Sequence, residues 1–173
     1  MMKDTFHPPA RIRRFPVGPL TRLTRSALGQ LREARGCYLL LLRIPTITIR
    51  VGGLGPVPFA AGVYGYVGSA RGRAVTLGFR LGRHLRRAKR RWWHIDYLTT
   101  HRHVRIIGAY VLTRPRWTEI RIARACARQF SVTPQFGNSD HAGRTPGHLF
   151  LIRLHGSPRL GRSPGTTRVR RKP

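Results

Sequence analysis

The chain is short of acidic residues, and this shortage limits the chemistry that it can perform. It holds five Asp and Glu against 34 Lys and Arg, for a formal net charge of +29. A two-metal nuclease needs several converging carboxylates. The acids here are spread over separate segments: Asp4, Glu33, Asp96, Glu119 and Asp140. The sequence therefore argues against a two-metal site and leaves a one-metal site open.

Cysteines and long apolar runs are scarce as well. Cys37 and Cys126 cannot build a disulfide framework, and neither belongs to a Cys-x-x-Cys pair. No apolar run reaches the roughly 18 residues that cross a bilayer, and the first residues lack the apolar stretch of a signal peptide. We therefore expect a cytoplasmic protein with no membrane partner.

Positive charge is what the chain has in excess. A compact body with this charge repels itself unless a polyanion neutralises it. Nucleic-acid phosphates do so with release of condensed counterions. DNA is the favoured partner, which would associate the protein with the nucleoid, and RNA is the second. A merely arginine-biased composition is the alternative, and nothing indicates a small-molecule cofactor.

Proline and arginine at both ends bound a central folded region. We expect residues 1–35 to form a basic, partly disordered arm, with a short helix possible over 21–35. Residues 156–173, rich in Gly, Ser, Pro and Arg, are expected to be a disordered basic tail. The folded domain should then span residues 36–155.

The central region has an α/β pattern of short apolar runs and amphipathic segments. The predicted elements are strands over 37–44, 46–51, 63–67, 104–112 and 148–154, a turn over 52–59, and helices over 76–92 and 117–130.

The helix over 76–92 has an apolar stripe and a basic row. The stripe ends at Trp92, which we therefore expect in the core, whereas Trp93 and His94 are open to stacking on bases. Six basic side chains along this segment are candidate nucleic-acid contacts: Arg83, Arg86, Arg87, Lys89, Arg90 and Arg91.

Cleavage of a phosphodiester requires a deprotonated water, compensation of phosphate charge and help for the leaving oxygen. Tyr38 and Tyr66 lie on neighbouring predicted strands. Arg80 and His84 lie one helical turn apart after the second tyrosine, and Glu119 lies on the second helix. These five residues are our candidates for a phosphodiesterase site.

Each candidate also has a structural interpretation. The tyrosines fit strand aromatics that pack the sheet, and Arg80 fits a solvated arginine. His84 fits a satisfied, partly buried histidine, and Glu119 fits a helix N-terminal charge. A separate metal site formed by Asp140, His141 and His148 is an alternative, although their spacing matches no standard zinc pattern.

Ordered sequence blocks resemble a known family. The chain reads GCY at 36–38, YVGSA at 66–70, RLGRH at 80–84 and EIRIA at 119–123. It also reads WHIDYL at 93–98, FGNSD at 136–140 and HLF at 148–150. Over residues 36–155 this order resembles the GIY-YIG endonuclease domain, in its small stand-alone branch.

The resemblance implies a small, mainly antiparallel sheet flanked by helices, three-stranded in the family, and metal-dependent hydrolysis of one DNA strand. It implies that Tyr38 assists deprotonation of water, that Tyr66 is the second motif tyrosine at the same site, and that Arg80 holds the scissile phosphate. Glu119 would bind one Mg²⁺ or Mn²⁺, and His84 matches a histidine that assists in some members.

Three features depart from the branch. The segment between the two tyrosines is longer than in the typical nuclease, Ile120 stands where the branch usually has cysteine, and residues 141–147 lack its Cys-x-Cys segment. Three functional hypotheses follow: a metal-dependent DNA endonuclease, an inactive nucleic-acid-binding module on the same fold, and an RNA-associated basic protein.

Overall fold

A five-stranded antiparallel sheet forms the centre of the protein. The computed structural model describes residues 19–72, 74–137 and 144–154. The five strands of the sheet are β1 (Gly36–Ile44), β4 (Gly62–Ala70), β5 (Arg105–Leu112), β6 (Ser131–Thr133) and β7 (Leu149–Leu154). They lie in the order β5-β1-β4-β7-β6, and every neighbouring pair runs antiparallel.

A separate hairpin and four helices complete the described architecture. The hairpin pairs β2 (Ile47–Arg50) with β3 (Pro56–Phe59) around a 3₁₀ turn at Gly52–Leu54. The helices are α1 (Arg25–Gln30), α2 (Leu77–Leu85), α3 (His94–Thr99) and α4 (Glu119–Ala127). The expected α+β class with a mainly antiparallel sheet is confirmed, with two more strands than the family resemblance implies.

Strand β1 lies inside the sheet, between β5 and β4, and is apolar on both faces. Alternate side chains of a strand point to opposite faces. Tyr38 and Leu40 therefore pack with α2, α3 and the hairpin, whereas Cys37 and Leu39 pack with α4. The sheet thus has two covered faces, and we call the one that carries Tyr38 the α2 face.

The predicted strands are all present, with small shifts at their ends. The interpretation of 52–59 as a turn was wrong in its second half, because Pro56–Phe59 forms β3. Its prolines are compatible with a two-stranded hairpin, where a strand has a free edge. The helix predicted over 117–130 is present in its central part as α4.

The helix predicted over 76–92 ends early, at Leu85. The next residue, Arg86, has extended dihedral angles. Trp92 consequently leaves the apolar stripe and is 63% exposed, so its expected place in the core was wrong. Residues 94–99 form the separate helix α3, which the sequence pattern did not indicate.

The N-terminal segment is structured where it is described. Helix α1 lies within the predicted 21–35 helix, and Thr21 pairs with Ala109 at the edge of β5. The expected disorder of residues 1–18 and 156–173 lies outside the described residues. Within the described ranges, no helix has the length and apolar character required to cross a membrane.

Candidate active site

Two tyrosines lie diagonally across neighbouring strands on the α2 face. In the β1–β4 register, Tyr38 is opposite Gly68 and Leu40 is opposite Tyr66. A Cβ added to Gly68 would overlap the phenol ring of Tyr38. The glycine of the YVG block therefore provides the space that the first phenol occupies.

His84 joins the two tyrosines from above the sheet. Helix α2 begins after Thr76, whose hydroxyl accepts a hydrogen bond from the Phe79 N–H, and this start places His84 two turns later. A hydrogen bond of 2.7 Å joins His84 Nε2 and Tyr38 Oη. The imidazole also meets the Tyr66 ring edge-on, at a centroid distance of 6.3 Å.

Burial keeps these three groups uncharged. Desolvation raises the pKa of Tyr38 and Tyr66 well above the usual phenol value. Desolvation, followed by the charges of Lys89 and Arg80, holds the pKa of His84 well below 6.5. At neutral pH the site therefore contains two phenols with their protons and a neutral imidazole, which has one acceptor nitrogen.

Arg80 supplies positive charge beside the phenols. Its charge lowers the pKa of Tyr38, against the larger effect of burial. Its guanidinium carbon lies 4.1 Å from the centroid of the Trp93 ring. Arg80 Nε is buried and has no hydrogen-bond partner among the described residues. A buried N–H donor without a partner is costly in free energy, so this donor is suited to an incoming acceptor such as phosphate oxygen.

Glu119 reaches the same place from the other face of the sheet. It is the first residue of α4, and its side chain is 21% exposed. After burial, its charge is among the causes that raise the pKa of both Tyr38 and Tyr66. The structure therefore places His84 against both tyrosines, and the charges of Arg80 and Glu119 act on both phenols.

A histidine holds the Glu119 carboxylate. His148 Nδ1 lies 3.0 Å from Glu119 Oε1, and His148 Nε2 lies 3.1 Å from Thr145 Oγ1. Sequence reasoning considered His148 only with Asp140 and His141, and those two positions lie outside the described residues. The HLF block contained the signal, but nothing in its spacing pointed to Glu119.

A single carboxylate suits a magnesium-type ion. Across the described ranges, no group of three or more His, Cys, Asp and Glu side chains could form a protein cage for a metal. Mg²⁺ usually keeps several waters and is bound through one or two carboxylates together with substrate phosphates. The partly exposed Glu119 beside Arg80 fits this mode of binding.

The six proposed basic contacts divide into two groups. Arg83 and Lys89 lie in the interior, where both bind the Asp96 carboxylate at 2.9 and 3.2 Å, so their expected place on the binding surface was wrong. Arg87 is exposed but donates to the carbonyl groups of residues 99, 101 and 104. The side chains of Arg86, Arg90 and Arg91 are exposed on the loop after α2.

Asp96 organises that loop, which sequence reasoning missed. Its carboxylate is fully buried and accepts hydrogen bonds from the Trp92 and Trp93 N–H groups, both at 3.1 Å. Arg83 Nη2 donates to the Arg90 carbonyl at 3.1 Å. These bonds fix residues 86–93 against α3.

Comparisons with known proteins place the domain in a family. No curated protein and no solved structure matches the chain. One family model, described as "Domain of unknown function DUF123", matches residues 37–160. That range contains the whole candidate site and most of the chain, so the protein belongs to the DUF123 family.

Proposed function

We propose that this protein is a metal-dependent DNA endonuclease of GIY-YIG type, which hydrolyses a phosphodiester bond inside the cell. One observation carries the proposal: Tyr38 is hydrogen-bonded to His84, and the charges of both Arg80 and Glu119 act on its phenol. These residues come from β1, α2 and α4. A packed sheet does not require a carboxylate and an arginine beside two buried phenols.

The Tyr38–His84 pair provides a route for the proton of the attacking water. A neutral imidazole has one acceptor nitrogen, and His84 Nε2 lies 2.7 Å from the phenol oxygen. As Tyr38 accepts a proton from water, it passes its own proton to His84. Tyr66, held edge-on against the same imidazole, keeps the ring oriented.

Arg80 binds and stabilises the phosphate. Its charge offsets the negative charge that develops on the phosphoryl oxygens, and such preorganised donors contribute about 10²–10³ in rate where they have been removed. Its stacking on Trp93 restricts the guanidinium to one region. Arg80 therefore has the charge and the restraint that a phosphate ligand needs.

Glu119 would hold the metal ion, with His148 orienting the carboxylate through its 3.0 Å contact. When bound, a divalent ion supplies Lewis-acid stabilisation of phosphoryl oxygen and lowers the pKa of a bound water. Mg²⁺ is the expected ion, and Mn²⁺ has the same oxygen preference.

An inactive nucleic-acid-binding module is the second candidate. The charge of +29 and the exposed arginines 86, 90 and 91 favour nucleic-acid binding whether or not the bond is cut. Binding by phosphate neutralisation falls steeply with salt. Both candidates therefore predict salt-sensitive association with DNA, and only cleavage separates them.

The test compares cleavage of supercoiled and branched DNA by wild type, Glu119→Gln and Arg80→Ala, with Mg²⁺, with Mn²⁺ and with a chelator. We expect metal-dependent cleavage by wild type and a loss of at least about 100-fold in both variants, since each removes a group that acts in the transition state. Glu33→Gln is the matched control, because it removes an exposed carboxylate that is distant from Glu119 in the sequence, and this variant should cut normally. Intact DNA despite tight wild-type binding would establish the binding module instead.

A further inference from the structure

Trp92 is a large exposed aromatic side chain in a strongly basic loop. It is 63% exposed, and the exposed Arg86, Arg90 and Arg91 belong to the same segment. An aromatic side chain in water loses the stabilisation that burial would provide. Trp92 belongs to neither core cluster of the described residues, and its outward face is therefore available to a ligand.

The backbone that carries this ring is held firmly. The Trp92 N–H donates to the buried Asp96 carboxylate at 3.1 Å. The same carboxylate binds Arg83 and Lys89, which lie inside the loop. The Trp92 backbone is therefore held in place by hydrogen bonding, although its side chain is exposed to solvent.

Contacts on one side also restrict the ring. The Arg83 guanidinium carbon lies 5.1 Å from the Trp92 centroid, and the Trp93 ring meets Trp92 edge-on at 6.4 Å. A ring restricted in this way loses less conformational freedom when a ligand stacks on it.

The same cluster leads directly to the candidate site. Trp93 contacts Trp92 on one side and the Arg80 guanidinium, at 4.1 Å, on the other. Trp93 thus lies between the exposed Trp92 indole and Arg80, the residue proposed to bind the phosphate. A DNA strand bound at Arg80 would carry its neighbouring bases past Trp92.

We propose that Trp92 is a stacking platform for an unpaired nucleobase of the bound DNA strand. Every base has a π-face, and stacking on aromatic side chains is the usual way in which single strands are held. Paired bases hide these faces within the duplex. The substrate class is therefore DNA with a single-stranded segment, such as a flap or a fork. That substrate assignment rests on the proposed endonuclease function, whereas the stacking itself does not.

The experiment measures binding without metal, in a chelator and at one salt concentration. The probes are a DNA single strand, a strand of equal length made of abasic nucleotides, and a blunt duplex. We expect Trp92→Ala to weaken binding of the base-bearing strand by roughly 5- to 100-fold and to leave the abasic strand and the duplex unchanged. Trp92→Phe should restore most of the affinity, and binding should quench wild-type tryptophan fluorescence more than that of Trp92→Ala.

Phe79→Ala is the matched control, because Phe79 is an exposed aromatic residue of α2 outside the basic loop, 57% exposed. It should bind all three probes as wild type does. Equal affinity of wild type and Trp92→Ala for the base-bearing strand would overturn the proposal. So would an equal loss on the base-bearing and abasic strands, which would assign Trp92 to backbone contact.

The outcome is independent of cleavage. A protein that cuts nothing but shows the Trp92 pattern would refute the endonuclease and support the platform. A metal-dependent nuclease whose Trp92→Ala variant binds single strands normally would refute the platform and leave the nuclease. An RNA strand of the same sequence, measured beside these three probes, tests the assignment to DNA, and a loss confined to that RNA strand would overturn it.

Discussion

At the residue scale, the candidate site depends on the absence of one side chain. Gly68 lies opposite Tyr38 across the β1–β4 pair, and any Cβ there would overlap the phenol that reaches His84. An interior at native packing density has no room for an added methyl group at such a point. Glycine at this position is therefore part of the site, although its own atoms perform no chemistry.

We predict that Gly68→Ala destabilises the protein by about 1–3 kcal/mol, the usual cost of overpacking, and displaces Tyr38 from His84. Denaturant unfolding measures the first effect. Gly29→Ala is the control, because an added Cβ there meets no atom within 4 Å. It lies in α1, and alanine should leave the stability equal or raise it by up to about 1 kcal/mol. Unfolding of Gly68→Ala at the wild-type midpoint would show that Tyr38 has space to move.

At the element scale, the end of α1 supports the beginning of α2. The first N–H groups of a helix have no partner within it. Here the N–H groups of Leu77 and Gly78 donate to the carbonyl groups of Ala34 and Leu31, at 2.8 and 2.9 Å. The N-terminal segment therefore determines where α2 begins, and through α2 it positions Arg80 and His84.

Substitutions at two glycines of α2 distinguish the effect of the close contact with α1 from the effect of helix propensity. A Cβ on Gly78 would lie 2.6 Å from the Leu28 carbonyl oxygen, whereas one on Gly82 would make an ordinary 3.6 Å contact with a Leu28 methyl group. We predict that Gly78→Ala lowers the unfolding free energy by about 1–3 kcal/mol despite the better helix former. Gly82→Ala should raise it by up to about 1 kcal/mol.

Thermal or denaturant unfolding of the two variants checks this prediction, and amide exchange of α1 locates the effect. Faster exchange in α1 of Gly78→Ala is the expected result. If both substitutions stabilise the protein equally, α1 does not rest on α2 as closely as the structure shows.

At the scale of the whole molecule, excess positive charge and buried neutral groups act together. A net charge of +29 opposes the compact state through self-repulsion. Arg83, Lys89 and Asp96 form a buried group in which two cations share one carboxylate. Acid adds further positive charge, and the buried His84, whose pKa is lowered by burial, resists taking it up in the native state.

We predict that the protein loses stability as the pH falls below about 6.5, the ordinary histidine pKa. The folded pKa of His84 lies well below that value, so the unfolded chain binds a proton that the native chain does not. Each such group lowers the unfolding free energy by at most roughly 1.4 kcal/mol per pH unit. Burial also lowers the pKa of His94 and His101, which adds to the slope.

Denaturant unfolding at pH 7.5 and pH 5.5, at constant ionic strength, measures this slope. His84→Gln keeps a polar partner for Tyr38 and removes the titrating group, so the slope should decrease, with the contributions of His94 and His101 remaining. The same pH dependence in wild type and His84→Gln would contradict the neutral, buried state of His84.

The order of residues along the chain is enough to predict most of the sheet, the excess positive charge and the candidate site residues. Short apolar runs such as 37–44 predict strands because the signal is local to each run. The diagonal placement of Tyr38 and Tyr66 follows from β-strand pairing, which places their strands next to each other.

The end of the basic helix, and the set of its side chains that face solvent, depend on contacts between segments that are separate in the chain. The sequence pattern over 76–92 predicts one continuous helix. In the structure, the Asp96 carboxylate accepts hydrogen bonds from the Trp92 and Trp93 N–H groups. It also binds Arg83 and Lys89, whose side chains therefore lie in the interior. The partnership of Glu119 with His148 likewise joins residues that are distant in the chain. A buried carboxylate can bind residues that are far from it in the sequence, and hydrophobic periodicity does not indicate which residues these are.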